Sequence, residues 1–185
     1  MFIVQHGAPQ DMDARAENEK EVYRTLDRLH IPFTRIDHAP VRTMEDCQAI
    51  DAELGGVICK NLFLCNQQKT MFYLLLIRED KAFKTKDISK QLGVSRLSFG
   101  TPEHMQEYLH LSPGAVSPMG ILFGSAKDVR LIMDSDLLKE EYLGCHPCVN
   151  TASIRFSMDD FMRVYLPAVR HEPTLVTIPA IDPAE

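Results

Sequence analysis

Two apolar runs, Val57-Ile58-Cys59-Lys60-Asn61-Leu62-Phe63-Leu64-Cys65 and Met71–Arg78, flank the polar stretch Asn66-Gln67-Gln68-Lys69-Thr70. Runs of this length around a turn read as a pair of antiparallel strands, the strongest hairpin signal in the chain. Upstream, Val22, Leu26 and Leu29 recur at i, i+4 and i+7 and predict a helix from Glu17 to His30. Glu17, Glu19 and Glu21 lie near the positive end of its dipole. Residues 31–36 alternate like a strand entered through Pro32, and Thr43-Met44-Glu45-Asp46 has the form of a capped helix start. That helix leads to Leu54 and closes at Gly55-Gly56.

Downstream, Thr85–Leu92 ended by Gly93 predicts a short helix, and Leu97-Ser98-Phe99 a short strand. Thr101-Pro102-Glu103 starts a helix with proline at its first position, running to about His110. Strands are expected at 121–123, 129–133 and 152–156. Ser157-Met158-Asp159-Asp160 should cap a last helix through Tyr165, stopped by Pro167. Helices and strands interleave, yet the central pair is antiparallel. The expected class is therefore mixed α/β, α+β-like, rather than a doubly wound sheet. One domain is expected over 17–170, after a leader at 1–16 and before an extended or frayed tail at 171–185.

Within the first apolar run, Lys60 is out of place. Burying an ammonium costs several kcal/mol unless it finds an anion or reaches solvent. No acidic residue lies between Glu53 and Glu79. Either the amine snorkels from a strand end, or it awaits an anion such as a phosphate.

The net charge of −6 is unevenly spread. Residues 60–100 carry 8 Lys and Arg against 3 Asp and Glu, while the segments on either side are acidic. The basic members (Lys60, Lys69, Arg78, Lys81, Lys84, Lys86, Lys90, Arg96) form a plausible phosphate-facing surface, although any single one is an ordinary solvated side chain. No apolar run is long enough to span a membrane, and the N-terminus lacks the form of a signal peptide. A cytoplasmic location is expected. Five cysteines do not suggest a disulfide framework.

Two further patches carry candidate chemistry. Ser112-Pro113-Gly114-Ala115-Val116-Ser117-Pro118-Met119-Gly120 is rich in glycine and proline but not polar. It is either a tight turn between core elements or a place where backbone groups meet a small ligand. Gly144-Cys145-His146-Pro147-Cys148-Val149-Asn150-Thr151-Ala152 contains a Cys-x-x-Cys spacing that invites a redox or zinc reading. The context disagrees, because a strand rather than a long helix follows and no second ligand pair has matching spacing. No nucleophile elbow, Ser–His–Asp order or dinucleotide fingerprint is present. Any enzyme here should act on an activated bond by positioning and water.

Five elements in order resemble the YbaK/prolyl-tRNA synthetase-associated editing family. They are Ile36-Asp37-His38-Ala39-Pro40-Val41; Lys60-Asn61-Leu62-Phe63-Leu64; Lys90-Gln91-Leu92-Gly93 with Leu97-Ser98-Phe99; Gly114–Gly120; and His146-Pro147-Cys148-Val149-Asn150-Thr151-Ala152. The likeness spans about residues 17–166 and is nearest the alanyl-tRNA(Pro) deacylase branch. It implies a single YbaK-like domain with a mixed, mostly antiparallel curved sheet or barrel. It also implies a hydrolase that clears alanine from mischarged tRNA(Pro) without metal or cofactor. Partners would be the acceptor end of that tRNA and prolyl-tRNA synthetase.

The resemblance places Lys60, Gly114 and His146 at the reaction. Asn61, Ala115, Val116, Ser117, Pro118, Met119, Gly120, Asn150 and Thr151 would hold the substrate. Lys60 would meet the phosphate of the terminal adenosine, and the neighbouring ribose hydroxyl would assist proton transfer. The flanking Cys145 and Cys148 are not part of the family motif. Alternatives are a cysteinyl-tRNA(Pro) deacylase of the same family and a noncatalytic module that docks on tRNA or a synthetase.

Overall fold

A computed structural model describes residues 2–41, 44–55 and 57–181; at 44–47, 57 and 58 only the backbone is considered. After β1 (Gln5–His6), α1 (Glu17–Arg28) leads into β2 (Phe33–Asp37) and then α2 (Met44–Leu54). The long apolar run that follows is not one strand. It divides into β3 (Val57–Ile58) and β4 (Lys60–Cys65), and the two belong to different sheets. Cys59 is the joint, itself buried. Hydrophobic pattern cannot reveal such a transfer, because both halves of the run have the same apolar character.

The predicted hairpin forms from Lys60 onward. β4 pairs antiparallel with β5 (Phe72–Ile77), from Lys60 opposite Ile77 to Cys65 opposite Phe72. α3 (Thr85–Leu92), β6 (Ser98–Phe99) and α4 (Pro102–Leu109) follow close to expectation. The strand expected at 121–123 is instead part of a 3-10 turn, Pro118–Leu122. Pro118 starts it, the Ser117 hydroxyl accepts from the Met119 amide, and Met119 and Ile121 are buried. Three apolar residues are too few to separate a strand from a turn by periodicity.

β7 (Arg130–Asp134), β8 (Tyr142–Cys145), β9 (Ala152–Ser157) and β10 (Thr174–Val176) complete two five-stranded sheets. Their orders are β1-β2-β9-β8-β3 and β10-β7-β5-β4-β6, with antiparallel and parallel pairs in each. The mixed α/β class stands. Pro167 does not end the last helix. From its Ser157 cap, α5 (Met158–Asp160) passes through a π turn (Phe161–Tyr165) into α6 (Leu166–Ala168). The π turn resets the register and leaves Pro167 in a first turn, where no amide hydrogen is required. Thr174–Val176 is extended and pairs parallel to β7, which ties down the segment after it.

The inner faces of the sheets share the main core. It holds Phe33, Leu143, Ile154 and Phe156 from one sheet and Phe63, Leu74, Leu76 and Leu131 from the other. Val22, Tyr23 and Leu26 of α1 close one flank of it. A second cluster lies on the outer face of the β5 sheet, where Leu64, Leu75 and Ile132 meet Ile88 of α3 and Val176 and Ile178 of the C-terminal segment. α2 lies against β2 and β9, with Ile50 and Leu54, one turn apart, buried.

Candidate active site

Lys60 opens β4 just past the joint between the sheets. Its ammonium donates to the main-chain carbonyl of Glu79 at 2.6 Å. Among the described residues it has no carboxylate partner, so its charge is not neutralised internally. Successive side chains of a strand point to opposite faces. Lys60 therefore shares a face with Leu62 and Leu64, while Asn61 joins Phe63 and Cys65 on the core side.

Asn61 ties the strand to the glycine-rich loop. Its amide nitrogen donates to the carbonyls of Cys59 (3.2 Å) and Val116 (3.1 Å). Its oxygen is buried and has no partner. In the loop, Gly114 has φ of +86°, a conformation L residues rarely adopt, and a Cβ there would lie 3.4 Å from the Asn150 amide nitrogen. Gly114 is exposed and Val116 half-buried, whereas Ala115, Ser117, Pro118, Met119 and Gly120 are buried. Ser117 donates its hydroxyl to the His146 carbonyl, at very close range. Tyr165, inside the last helix, donates to the carbonyls of Pro118 (3.1 Å) and Met119 (3.3 Å). The loop is thus exposed at Gly114 and clamped from Ser117 onward.

The third patch leaves the end of β8. His146 places Nδ1 2.9 Å from the Ala152 carbonyl. A carbonyl only accepts, so Nδ1 carries the hydrogen; in the neutral ring Nε2 is then a bare acceptor. Burial, with a smaller contribution from the neighbouring His38, lowers the His146 pKa and keeps the ring neutral at pH 7. Ser153 bridges the two rings. Its hydroxyl lies 3.0 Å from His38 Nε2 and 3.4 Å from His146 Nδ1, and the ring centroids are 6.0 Å apart. Asn150 clasps the Val41 backbone, accepting from its amide (3.2 Å) and donating to its carbonyl (3.1 Å). Thr151 contributes its carbonyl to the His38 amide at 2.9 Å.

Two contributors were not among the sequence candidates. His38 lay inside a quoted motif but had no assigned role. Asp51, on the last turns of α2, has one buried oxygen without a partner. Burial, and secondarily the Glu79 charge, pushes its pKa up to about 7. Asp51 also raises the buried Cys59 thiol, a lesser contribution after burial itself. Asp51 is therefore near enough to Cys59 and Glu79 for its charge to be felt by both. No sequence signal marks Asp51, because its burial depends on how α2 packs against β2 and β9.

The Cys-x-x-Cys pair offers little reactivity. Cys145 and Cys148 are unbridged and fully buried. Burial pushes the Cys145 thiol up to about 12 and raises Cys148 well above the ordinary range. Thiolates, not thiols, are the reactive form. Among the described residues, no helix is long and apolar enough to cross a membrane.

The model of the aminoacyl-tRNA editing domain matches residues 38–164, which takes in all three patches. The chain belongs to that family. Its activity class is hydrolytic editing of aminoacyl-tRNA, and the resemblance carried by the ordered motifs holds. This editing domain is 34% identical over 154 residues to the prolyl-tRNA editing protein ProX of Acetoanaerobium sticklandii, covering 83% of this chain and 92% of that protein. It is 30% identical over 167 residues to prolyl-tRNA synthetase associated domain-containing protein 1 of Mus musculus, with 88% and 98% covered. A crystal structure described as a candidate trans-editing enzyme for prolyl-tRNA synthetase superposes with a TM-score of 0.66 at 18% identity, covering 91% of this chain and all of that one. At that identity the superposition supports the fold.

Proposed function

We propose that this editing domain acts in trans as a deacylase that hydrolyses alanine from mischarged tRNA(Pro), in the cytoplasm, alongside prolyl-tRNA synthetase. The observation that carries the reading is the unspent charge of Lys60, held by a neutral carbonyl and joined through Asn61 to the glycine loop. A fixed, un-neutralised ammonium suits a phosphate of the tRNA's terminal adenosine. The unpartnered oxygen of Asn61 suits a donor, either the attacking water or a ribose hydroxyl. The bare Nε2 of His146 is a second acceptor for the terminal nucleoside or the substrate. Gly114, Ala115 and Val116 bring little side chain, so their backbone can approach a methyl-sized amino acid closely. Ser117, Pro118, Met119 and Gly120 anchor them, and Asn150 and Thr151 fix the neighbouring wall.

The chemistry needs no protein nucleophile. Water adds to the ester carbonyl, the bond to the ribose oxygen breaks, and that oxygen takes a proton relayed through the adjacent ribose hydroxyl. Free alanine and an uncharged 3′ end result. Positioning of this kind is worth several kcal/mol of barrier. A small cup then admits alanine and excludes bulkier residues, as a second sieve does.

The test presents alanyl-, cysteinyl-, seryl- and prolyl-tRNA(Pro) to the purified protein and to Lys60→Ala. Alanine release should dominate, and Lys60→Ala should lower kcat/KM by at least tenfold, about 1.4 kcal/mol. Preference for the cysteinyl substrate would assign the other branch of the family. No turnover on any substrate would leave a docking module.

A further inference from the structure

The strongest unexplained surface feature is Phe99. It sits on the edge strand β6 and is 60% exposed, although burying a phenylalanine is worth roughly 1.5–3 kcal/mol. Phe99 lies directly opposite Leu64, so it stands on the same face of the sheet as Leu62 and Lys60. Phe83, partly buried beside Leu62 in the outer cluster, packs its ring 6.0 Å from Phe99. Leu64 is fully buried in the outer cluster and Lys60 and Leu62 are half-buried, so this row is open to solvent at Phe99 and in part at Lys60. From Leu64 to Lys60 is about 13 Å of strand, a span of a few extended nucleotides.

The charges around this track differ in how they are used. Arg78 is engaged by Asp80 and Glu140, and Lys81 is sunk among Asp134, Asp136 and the Ile178 carbonyl. Those two basic residues serve the fold. Lys84, Lys86, Lys90 and Arg96, at and after α3, are exposed, and among the described residues none has a carboxylate within 4.0 Å. Lys86 and Lys90 are one turn apart on the helix.

We propose that the single-stranded 3′ end of the tRNA runs past the rim of this sheet between Phe99 and Lys60, a base stacking on Phe99 while Lys84, Lys86, Lys90 and Arg96 take backbone phosphates. The proposal rests on the editing reading and specifies how the substrate reaches its pocket. A planar ring beside a line of cations is the chemistry that holds single strands without reading sequence. An acidic protein partner would meet the lysines but leave the open ring without a purpose.

The experiment compares wild type, Phe99→Ala, Phe99→Tyr and the double variant Lys86→Glu/Lys90→Glu. Two substrates are used, alanyl-tRNA(Pro) and 3′-alanyl-adenosine, which has no strand to track. Phe99→Ala should lower kcat/KM on the tRNA about fivefold to a hundredfold, through KM, and leave the minimal ester unchanged. Phe99→Tyr should restore it. The double variant should make KM about one power less steep in salt. Fluorescence anisotropy with an uncharged acceptor hairpin bearing a 3′ overhang reads the same contacts without turnover. An inactive wild type whose hairpin affinity still falls in Phe99→Ala would sink the deacylase reading and keep the track. Wild-type kcat/KM, salt slope and hairpin affinity in all the variants would overturn the track and leave the deacylase standing.

Discussion

At the scale of single residues, the site is made of groups deprived of their ordinary partners. Lys60 has a carbonyl in place of a carboxylate, and Asn61 and Asp51 each keep a buried oxygen unpaired. Unpaired buried acceptors cost stability and persist where a ligand uses them. Asp51 gives this a measurable form. Its folded pKa of about 7 lies above the ordinary value of 3.8, so between those values the folded state holds a proton that the unfolded state releases. Stability contributed by the neutral form is present below pH 3.8 and is lost as pH rises through 7. Asp51→Asn should therefore stabilise the protein at pH 8 by about 1 kcal/mol, after discounting for solvent around a half-buried group, and change little at pH 4. Urea unfolding at the two pH values checks this; equal effects at both would refute it.

Among elements, those with strong local signals were legible. Val22 and Leu26 fix α1, Thr101 and Pro102 start α4, and the expected antiparallel hairpin forms between β4 and β5. Elements decided by distant partners were not. Tyr142–Cys145 becomes a strand between β9 and β3, and nothing in its own four residues requires that. The three chemical patches were legible in the same sense, since each is local, whereas the approach of Asp51 and the Ser153 bridge between two histidines depend on packing. Gly120 shows how tight that packing is. A Cβ there would meet the Leu111 side chain at 2.9 Å and the Leu109 carbonyl at 3.0 Å. Gly120→Val should cost about 1–3 kcal/mol by overpacking and lower Tm measurably. A calorimetric scan with unchanged Tm would contradict that account of the loop.

Across the whole molecule, the basic middle of the sequence separates into two populations. Some of its cations face solvent; Lys81 instead holds the C-terminal segment to the body. Its amine reaches the Ile178 carbonyl at 2.9 Å and lies 3.8 Å from the fully buried Asp134. Lys81→Met would strand that carboxylate and should destabilise by about 3–5 kcal/mol, with Asp134→Asn in the same chain recovering most of the loss. Chemical denaturation of the single and double variants measures both, and a neutral single variant would show that the cation is dispensable. Sequence alone could count these charges but could not sort them, because sorting requires knowing which ones the C-terminal segment covers.

The division of the 57–65 run also bears on the order of folding. β4 and β5 are neighbours in sequence and can zip early, whereas Val57 must find Leu143, far along the chain. Until that distant pairing closes, Cys59 is not a corner and Lys60 has no fixed aim. A nascent or partly denatured chain would carry every chemical group and still clear no ester, so catalysis would recover only with the slowest refolding phase.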